Sequence, residues 1–336
     1  RLSCRGFDLF HTNYLTTFQK VIESTMAEDL IRAEVRMISG CRDSQTSADV
    51  SNVAEFQLPD PAGRAGGACT SAMLQVLYAD HQTPEDDLSM QEVLLQMRDI
   101  LRSSGYTQIP QLSSSRCLDI HTPFRLVPED FSGTRRAVVI AINYVGQQGE
   151  LRGCQNDAHN MIEYIKNVHG FEDENILILM DDGIHPDPTY ENIITAYRQL
   201  VASCEPGDAV FCHYSGHGGK LVDEDGDEED GYDETLVPVD YQSAGQIRDD
   251  TLYKELVGAL PEGVMMTSVM DCCHSGTVLD LPYVFVADGE EEEMHENPGF
   301  DMNAMAGFAS AAGIAMALAS GADPIEVAMQ ACCAIL

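Results

Sequence analysis

Between residues 136 and 285 the sequence alternates apolar runs with amphipathic ones. "RAVVIAINYV", "ENILILMD", "DAVFCHYSG" and "GVMMTSVMDCC" are apolar on successive residues, whereas "CQNDAHNMIEYIKNVHG", "TYENIITAYRQLVASC" and "TLYKELVGAL" place apolar residues at helical spacing. A strand that is apolar on both faces must be covered on both, and strands joined by helix-length connections pair in parallel. The pattern predicts an α/β fold, a mostly parallel sheet sandwiched between helices. In such sheets reactive groups gather at the carboxyl ends of the strands. Three of those ends carry chemically able residues: "INYVGQQGELRGCQND", "HYSGHGG" and "MDCCHSG".

The flanking regions read differently. Residues 1 to about 130 begin with a predicted helix around "LTTFQKVIESTMAEDLIRAE" and a short strand, "VRMISGC". A Gly-rich turn at "AGRAGGACTSAMLQVLY" opens a helix, and "SMQEVLLQMRDILRSSGY" is a second helix with a glycine stop. "FSGTRR" (131–136) reads as a linker to the catalytic region, 131–290. Beyond it, 291–336 is an acidic linker and an Ala/Gly-rich tail. The stretch 302–322 is uncharged, but its small residues give a weak drive for bilayer insertion, so packing on the protein is expected rather than a membrane anchor. No basic segment followed by a long apolar run opens the sequence, and the 11 cysteines form no regular framework, so a reducing, cytoplasmic setting is expected. A net charge of −36 makes nucleic acid an unfavourable partner and fits cations and basic substrates.

A cysteine hydrolase needs a thiolate, an imidazole that takes the thiol proton and later returns it to the leaving amine, and donors for the oxyanion. "HYSGHGG" offers His213, inside a strand and expected to be packed, and His217, between glycines where a loop can present a ring. Adjacent side chains of a strand alternate faces, so Asp271 and Cys273 share one face and Cys272 takes the other. Cys273 also adjoins "HSG", whose backbone N–H groups suit an oxyanion. Two buried structural thiols, or a zinc site drawn from Cys272, Cys273, His274, His213 and His217, are the alternatives. Adjacent cysteines on opposite faces make poor co-ligands, and no C-x-x-C spacing occurs. Asp271, and Asp157 in "GCQND", place carboxylates at neighbouring strand ends. Either could serve as a helix cap, or together they could hold an Arg or Lys side chain.

"HYSGHGG" followed at the next strand end by "DCCHSG" resembles the His and Cys boxes of the metacaspases, caspase-like peptidases that cleave after basic residues. "LRGCQNDAHNM", "DEEDGYDETLVPVD" and "IRDDTL" match further segments in the same order. "MISGCRDSQTSADV", "GGACTSAML" and "PQLSSSRCLDIHTPFRL" are similar to the metacaspase small subunit, which here precedes the large one, the order of type III members. The resemblance implies a caspase-like sheet completed by the small-subunit-like region 1–130. It implies a Cys273–His217 dyad and a primary pocket of Asp157 and Asp271 with Cys154 nearby. It also implies a Ca²⁺ site on Asp233, Asp249, Asp250 and Asp280. Protein or peptide substrates with basic residues and a monomeric state follow. A catalytically silent, calcium-binding scaffold of the same fold is the runner-up.

The acidic run around 223–234 is not an EF-hand: Asp223, Asp225, Asp227 and Glu234 fall at ligand positions, but the sixth position is Glu228 rather than glycine. Self-cleavage after Arg135, Arg136 or Lys220 is a further expectation of the resemblance. Cys212 is expected to be a packed strand cysteine rather than a redox switch.

Overall fold

A computed structural model describes residues 30–40, 49–50, 66–79, 88–222, 231–272, 275–298 and 300. In chain order the elements are β1 (Glu34–Ser39), α1 (Ala68–Leu74), α2 (Met90–Ser103), β2 (Gln111–Ser114), β3 (Arg135–Ala141), α3 (Cys154–His169), β4 (Ile176–Met180), α4 (Tyr190–Ser203), β5 (Ala209–Ser215), β6 (Gly218–Val222), β7 (Tyr232–Leu236), β8 (Ile247–Arg248), α5 (Asp249–Leu252), β9 (Met265–Asp271), β10 (Tyr283–Val286) and β11 (His295–Glu296). Eight strands form one sheet in the order β11-β10-β2-β1-β9-β5-β3-β4, with β1, β9, β5, β3 and β4 mutually parallel. The N-terminal strands are therefore internal to the sheet: β1 pairs with β9, and β2 bridges β1 to β10.

The alternation of side chains separates two cores. Ala137, Val139, Phe211 and Val269 pack under α1, α2 and α3, whereas Val138, Ile140, Val210, Met266 and Met270 pack under α4 and α5. Every central strand is thus buried on both faces, which is why its sequence is apolar without interruption. Local signals set the helix ends. Ser89 and Glu92 form a capping box at the start of α2. Gly170, at φ 69°, takes the left-handed position that closes α3.

The structure departs from the sequence reading in particular places. Arg135 and Arg136 belong to β3 rather than to a linker, because the Arg136 guanidinium is anchored by Asp208 at 2.8 Å. The region read as an acidic loop after His217 contains a second, three-stranded antiparallel sheet of β6, β7 and β8. Its strands are short and half polar, so they carry little hydrophobic periodicity. "TLYKELVGAL" divides into α5 and a π-helical turn at Tyr253–Val257. Most of the helix expected near residues 15–34, the run 223–230 and the tail 301–336 lie outside the described residues. Among those described, no helix is long and apolar enough to cross a membrane.

Asp208 locks the amino end of β3 to β5. Its buried carboxylate accepts the N–H groups of Thr134 (2.6 Å) and Glu205 (3.0 Å) as well as Arg136 Nε. Burial opposes ionisation, yet these donors and the Arg136 charge outweigh it and hold the carboxyl below its ordinary value. Its stabilisation is therefore complete above the unfolded pKa of about 3.9 and lost as pH falls through the lower folded value. Asp208→Asn should cost about 3 kcal/mol at neutral pH. Thermal melts from pH 6 to 3 should show the wild type losing more stability than the variant.

Candidate active site

Strands β3, β5 and β9 finish level: Ala141 lies opposite Ser215, and Ser215 opposite Asp271. His217 follows two residues beyond β5, and Tyr144 three beyond β3. Tyr144 adopts φ 53°, a left-handed conformation costly for a residue with a Cβ. That turn lays its ring on the His217 imidazole, with centroids 4.7 Å apart. Its hydroxyl donates to the Val237 carbonyl at 2.6 Å and accepts the His217 backbone N–H at 2.9 Å. The Tyr214 hydroxyl donates to the His217 carbonyl at 2.8 Å. Gly216 must be glycine because a Cβ there would stand 2.9 Å from the Tyr214 hydroxyl and 3.1 Å from that of Tyr144. Close approach, rather than loop flexibility, accounts for the residue between Ser215 and His217.

The ring is fixed at its far side as well. His217 Nε2 lies 2.6 Å from the Gly149 carbonyl oxygen. A carbonyl can only accept, so this partner assigns the neutral ring's proton to Nε2 and leaves Nδ1 as the acceptor. Gly149 sits at φ 84°, and a Cβ on it would come within 3.1 Å of Nε2. His213, by contrast, is 1% exposed, with Nε2 3.3 Å from Thr70 Oγ1. Burial lowers its pKa to about 3, so it is a neutral packed residue, as its place within a strand implies.

The two aspartates meet at the start of α1. Asp157, in the first turn of α3, accepts the Gly67 N–H with both oxygens at 2.8 Å and the Ser215 hydroxyl at 2.7 Å. Asp271 Oδ2 accepts the Thr70 N–H at 2.8 Å. A Cβ on Gly67 would collide with Asp271 Oδ2 and come within 2.9 Å of Asp157 Oδ2, so both carboxylates border the same point. The exposed amides and positive end of a helix N-terminus suit such groups. Capping is thus one role of both aspartates, and each carboxylate has lone pairs for further donors. Cys154 is buried at the start of α3, its N–H donating to Asn143 Oδ1 at 3.1 Å.

Cys273 and His274 lie outside the described residues. Their neighbours follow strand parity: Asp271 points toward α1, and Cys272 is buried in the opposite core, with Tyr214 and Met270. His213 and Cys272 therefore face opposite sides of the sheet, which removes the zinc arrangement that would use both. Cys212 is a packed thiol, 3.7 Å from Met266 Sδ, and burial pushes its pKa above the ordinary thiol range.

Asp233, Asp249 and Asp250 come together, with donor oxygens within 4.8 Å of one another; among the described residues no other such group of three occurs. Asp249 accepts the N–H groups of Glu234 (2.6 Å) and Asp250 (2.9 Å), and Arg248 pairs with Asp233. Asp280 does not join this trio; it lies near Tyr253, whose pKa is raised to about 12 by burial and by the Asp280 charge. The sequence-predicted cleavage positions are all in paired strands: Arg135 and Arg136 in β3, and Lys220 in β6, its Nζ 2.8 Å from Glu234. Tyr144, Gly149, Ser215 and the amides of α1 were not singled out from sequence. Only the glycines of "VGQQGELRG" signalled that a backbone there approaches another group closely.

Residues 135–282 match the metacaspase peptidase C14 domain, and residues 5–120 match the caspase domain. The chain is 60% identical over 281 residues to metacaspase III c of Phaeodactylum tricornutum, covering 83% of each chain. It is 49% identical over 164 residues to metacaspase-1A of Neurospora crassa, covering 48% of this chain and 36% of that one. It is 47% identical over 174 residues to metacaspase-1 of Candida glabrata, covering 51% and 44% respectively. The chain thus spans less than half of either fungal relative.

Imidazole ¹⁵N NMR checks the two histidines directly. His217 should show the Nε2–H tautomer when neutral, and Gly149→Ala should mix the tautomers. The His213 signals should stay those of a neutral ring from pH 8 to about 4; a titration near 6.5 would contradict its burial.

Proposed function

The chain belongs to the metacaspase family of cysteine peptidases, and we propose that it is a calcium-dependent endopeptidase cutting after Arg or Lys through Cys273 and His217. The observation that carries this reading is the fixed His217 ring, with Nε2 committed to Gly149 and Nδ1 left as a base at the edge where β9 ends. On this reading Nδ1 takes the Cys273 thiol proton, and the thiolate attacks the scissile carbonyl. Collapse of the tetrahedral intermediate expels the amine, which receives that proton from the imidazolium. Water then hydrolyses the thioester, with His217 again as base, and frees the acid and the thiol. The His217–Gly149 bond contributes orientation, sparing the ring a search for the productive tautomer.

Asp157 and Asp271 supply the preference. Two buried carboxylates beside one another suit a guanidinium or ammonium and repel an acidic side chain. In this arrangement β1 and β2 are the small subunit's share of the sheet, preceding the catalytic region in the chain. The protein acts as a cytoplasmic monomer on protein substrates.

Asp233, Asp249 and Asp250 fit Ca²⁺: their donors are hard oxygens, and two of the three carboxylates are buried. The ion would offset their mutual repulsion and tie β7 to α5. Because β6 pairs with β7 immediately after His217, that tie supports the segment presenting the imidazole.

Fluorogenic peptides ending in Arg, Lys or Asp test the activity. Arg and Lys substrates should be cleaved at least 100-fold faster than Asp, and Cys273→Ala should abolish cleavage. Asp271→Asn should lower kcat/KM for Arg about 10- to 100-fold. Calcium should raise the melting temperature of the wild type and not that of Asp249→Asn, and chelator should suppress cleavage. Equal cleavage and equal melting with and without calcium would remove the metal from the account.

A further inference from the structure

The chain has 19 basic residues against 55 acidic ones, so a guanidinium without a carboxylate beside it needs a reason. At the amino ends of β1 and β9, opposite the catalytic edge, lies a cleft of about 610 Å³ lined by Arg32, Arg36, Arg116 and Arg125. Glu34, Glu129 and Asp130 also line it. Arg36 pairs with Glu34 and donates to the Arg125 carbonyl at 3.3 Å. Arg125 pairs with Glu129 at 3.9 Å, and that glutamate is 84% exposed. Among the described residues the Arg116 guanidinium donates to carbonyl oxygens alone: those of Ser115 (2.9 Å), Ile31 (2.8 Å) and Arg32 (3.3 Å). Among the described residues, neither Arg116 nor the exposed Arg32 makes an ion pair.

The backbone bonds of Arg116 orient its charge without neutralising it, so a ligand there meets a guanidinium already ordered. Guanidinium groups match phosphate and carboxylate oxygens in geometry as well as charge. A concave site with a few convergent polar groups is the usual form of a small-ligand site. We propose that this cleft binds a small multivalent anion of the phosphate or polycarboxylate class, held by Arg116 and Arg32 with Arg36 and Arg125 adding charge. Such a ligand touches the segment before β1, the segment after β2 and the start of β9. It therefore fastens the N-terminal strands to the catalytic region and stabilises the folded chain by mass action.

Calorimetric titration of the full chain with tripolyphosphate and, separately, with citrate, at constant ionic strength, tests the proposal. One saturable site for either probe supports it, and the better probe identifies the class. Arg32→Gln should weaken that site about fivefold, and Glu129→Gln, which removes a competing carboxylate, should tighten it by a similar factor. Both side chains are exposed, so neither change threatens folding, and cleavage of an arginyl peptide should be unchanged in each. The proposal is overturned by absence of a saturable site for both probes, or by an affinity indifferent to both substitutions.

Discussion

The level, one-to-one register of the parallel strands is the constraint on which everything else rests. From β1 through β9, β5 and β3, each residue pairs with its counterpart without a bulge. Adjacent strands lie about 4.8 Å apart, so their last residues form a single row. Ser215 and Asp271 belong to that row; His217 and Tyr144 follow directly beyond it. A slip of one residue in β9 would turn Asp271 toward Tyr214 and bring Cys272 to the α1 side, exchanging the two cores. Continuous apolar sequence in the strands guards against this only weakly. In β5 the larger side chains divide between the cores, Phe211 in one and Tyr214 in the other.

Within that frame the carboxyl edge of the sheet is organised largely through backbone groups. Asp157 and Asp271 are held by amides of Gly67 and Thr70, and His217 by the Gly149 carbonyl and the hydroxyls of Tyr144 and Tyr214. Backbone partners place geometry under the control of the fold rather than of individual side chains, and they account for the glycines at 67 and 149, while the tyrosine hydroxyls crowd position 216. The strained φ of Tyr144 belongs to the same scheme. The cost of order 1–3 kcal/mol is met by a ring stacked on the imidazole and a hydroxyl joining β3's end to the segments around residues 217 and 237.

Much of this was legible in the sequence. The apolar alternation identified β3, β4, β5 and β9 and the helices between them, and strand parity separated Asp271 from Cys272. The short strands β2, β6 and β7 were not legible, because four or five half-polar residues carry no decisive period, and the apolar β10 is only four residues long. Neither was the meeting of α1 with the aspartates, a contact between residues 90 and 201 positions apart. Tyr144 reads in sequence as one more apolar residue at a strand end; only the left-handed turn shows that its ring serves a histidine. The acidic set came from family likeness, which named Asp280 beside the three that meet; no local period links Asp233 in β7 to Asp249 and Asp250 at the start of α5.

Alkylation by an arginyl electrophile, followed by mass spectrometric mapping of the modified thiol, tests the dyad most directly. The account expects one adduct, on the sulfur of Cys273, formed much more slowly in His217→Ala. An adduct on Cys272 or Cys154, or a rate untouched by loss of the imidazole, would contradict it.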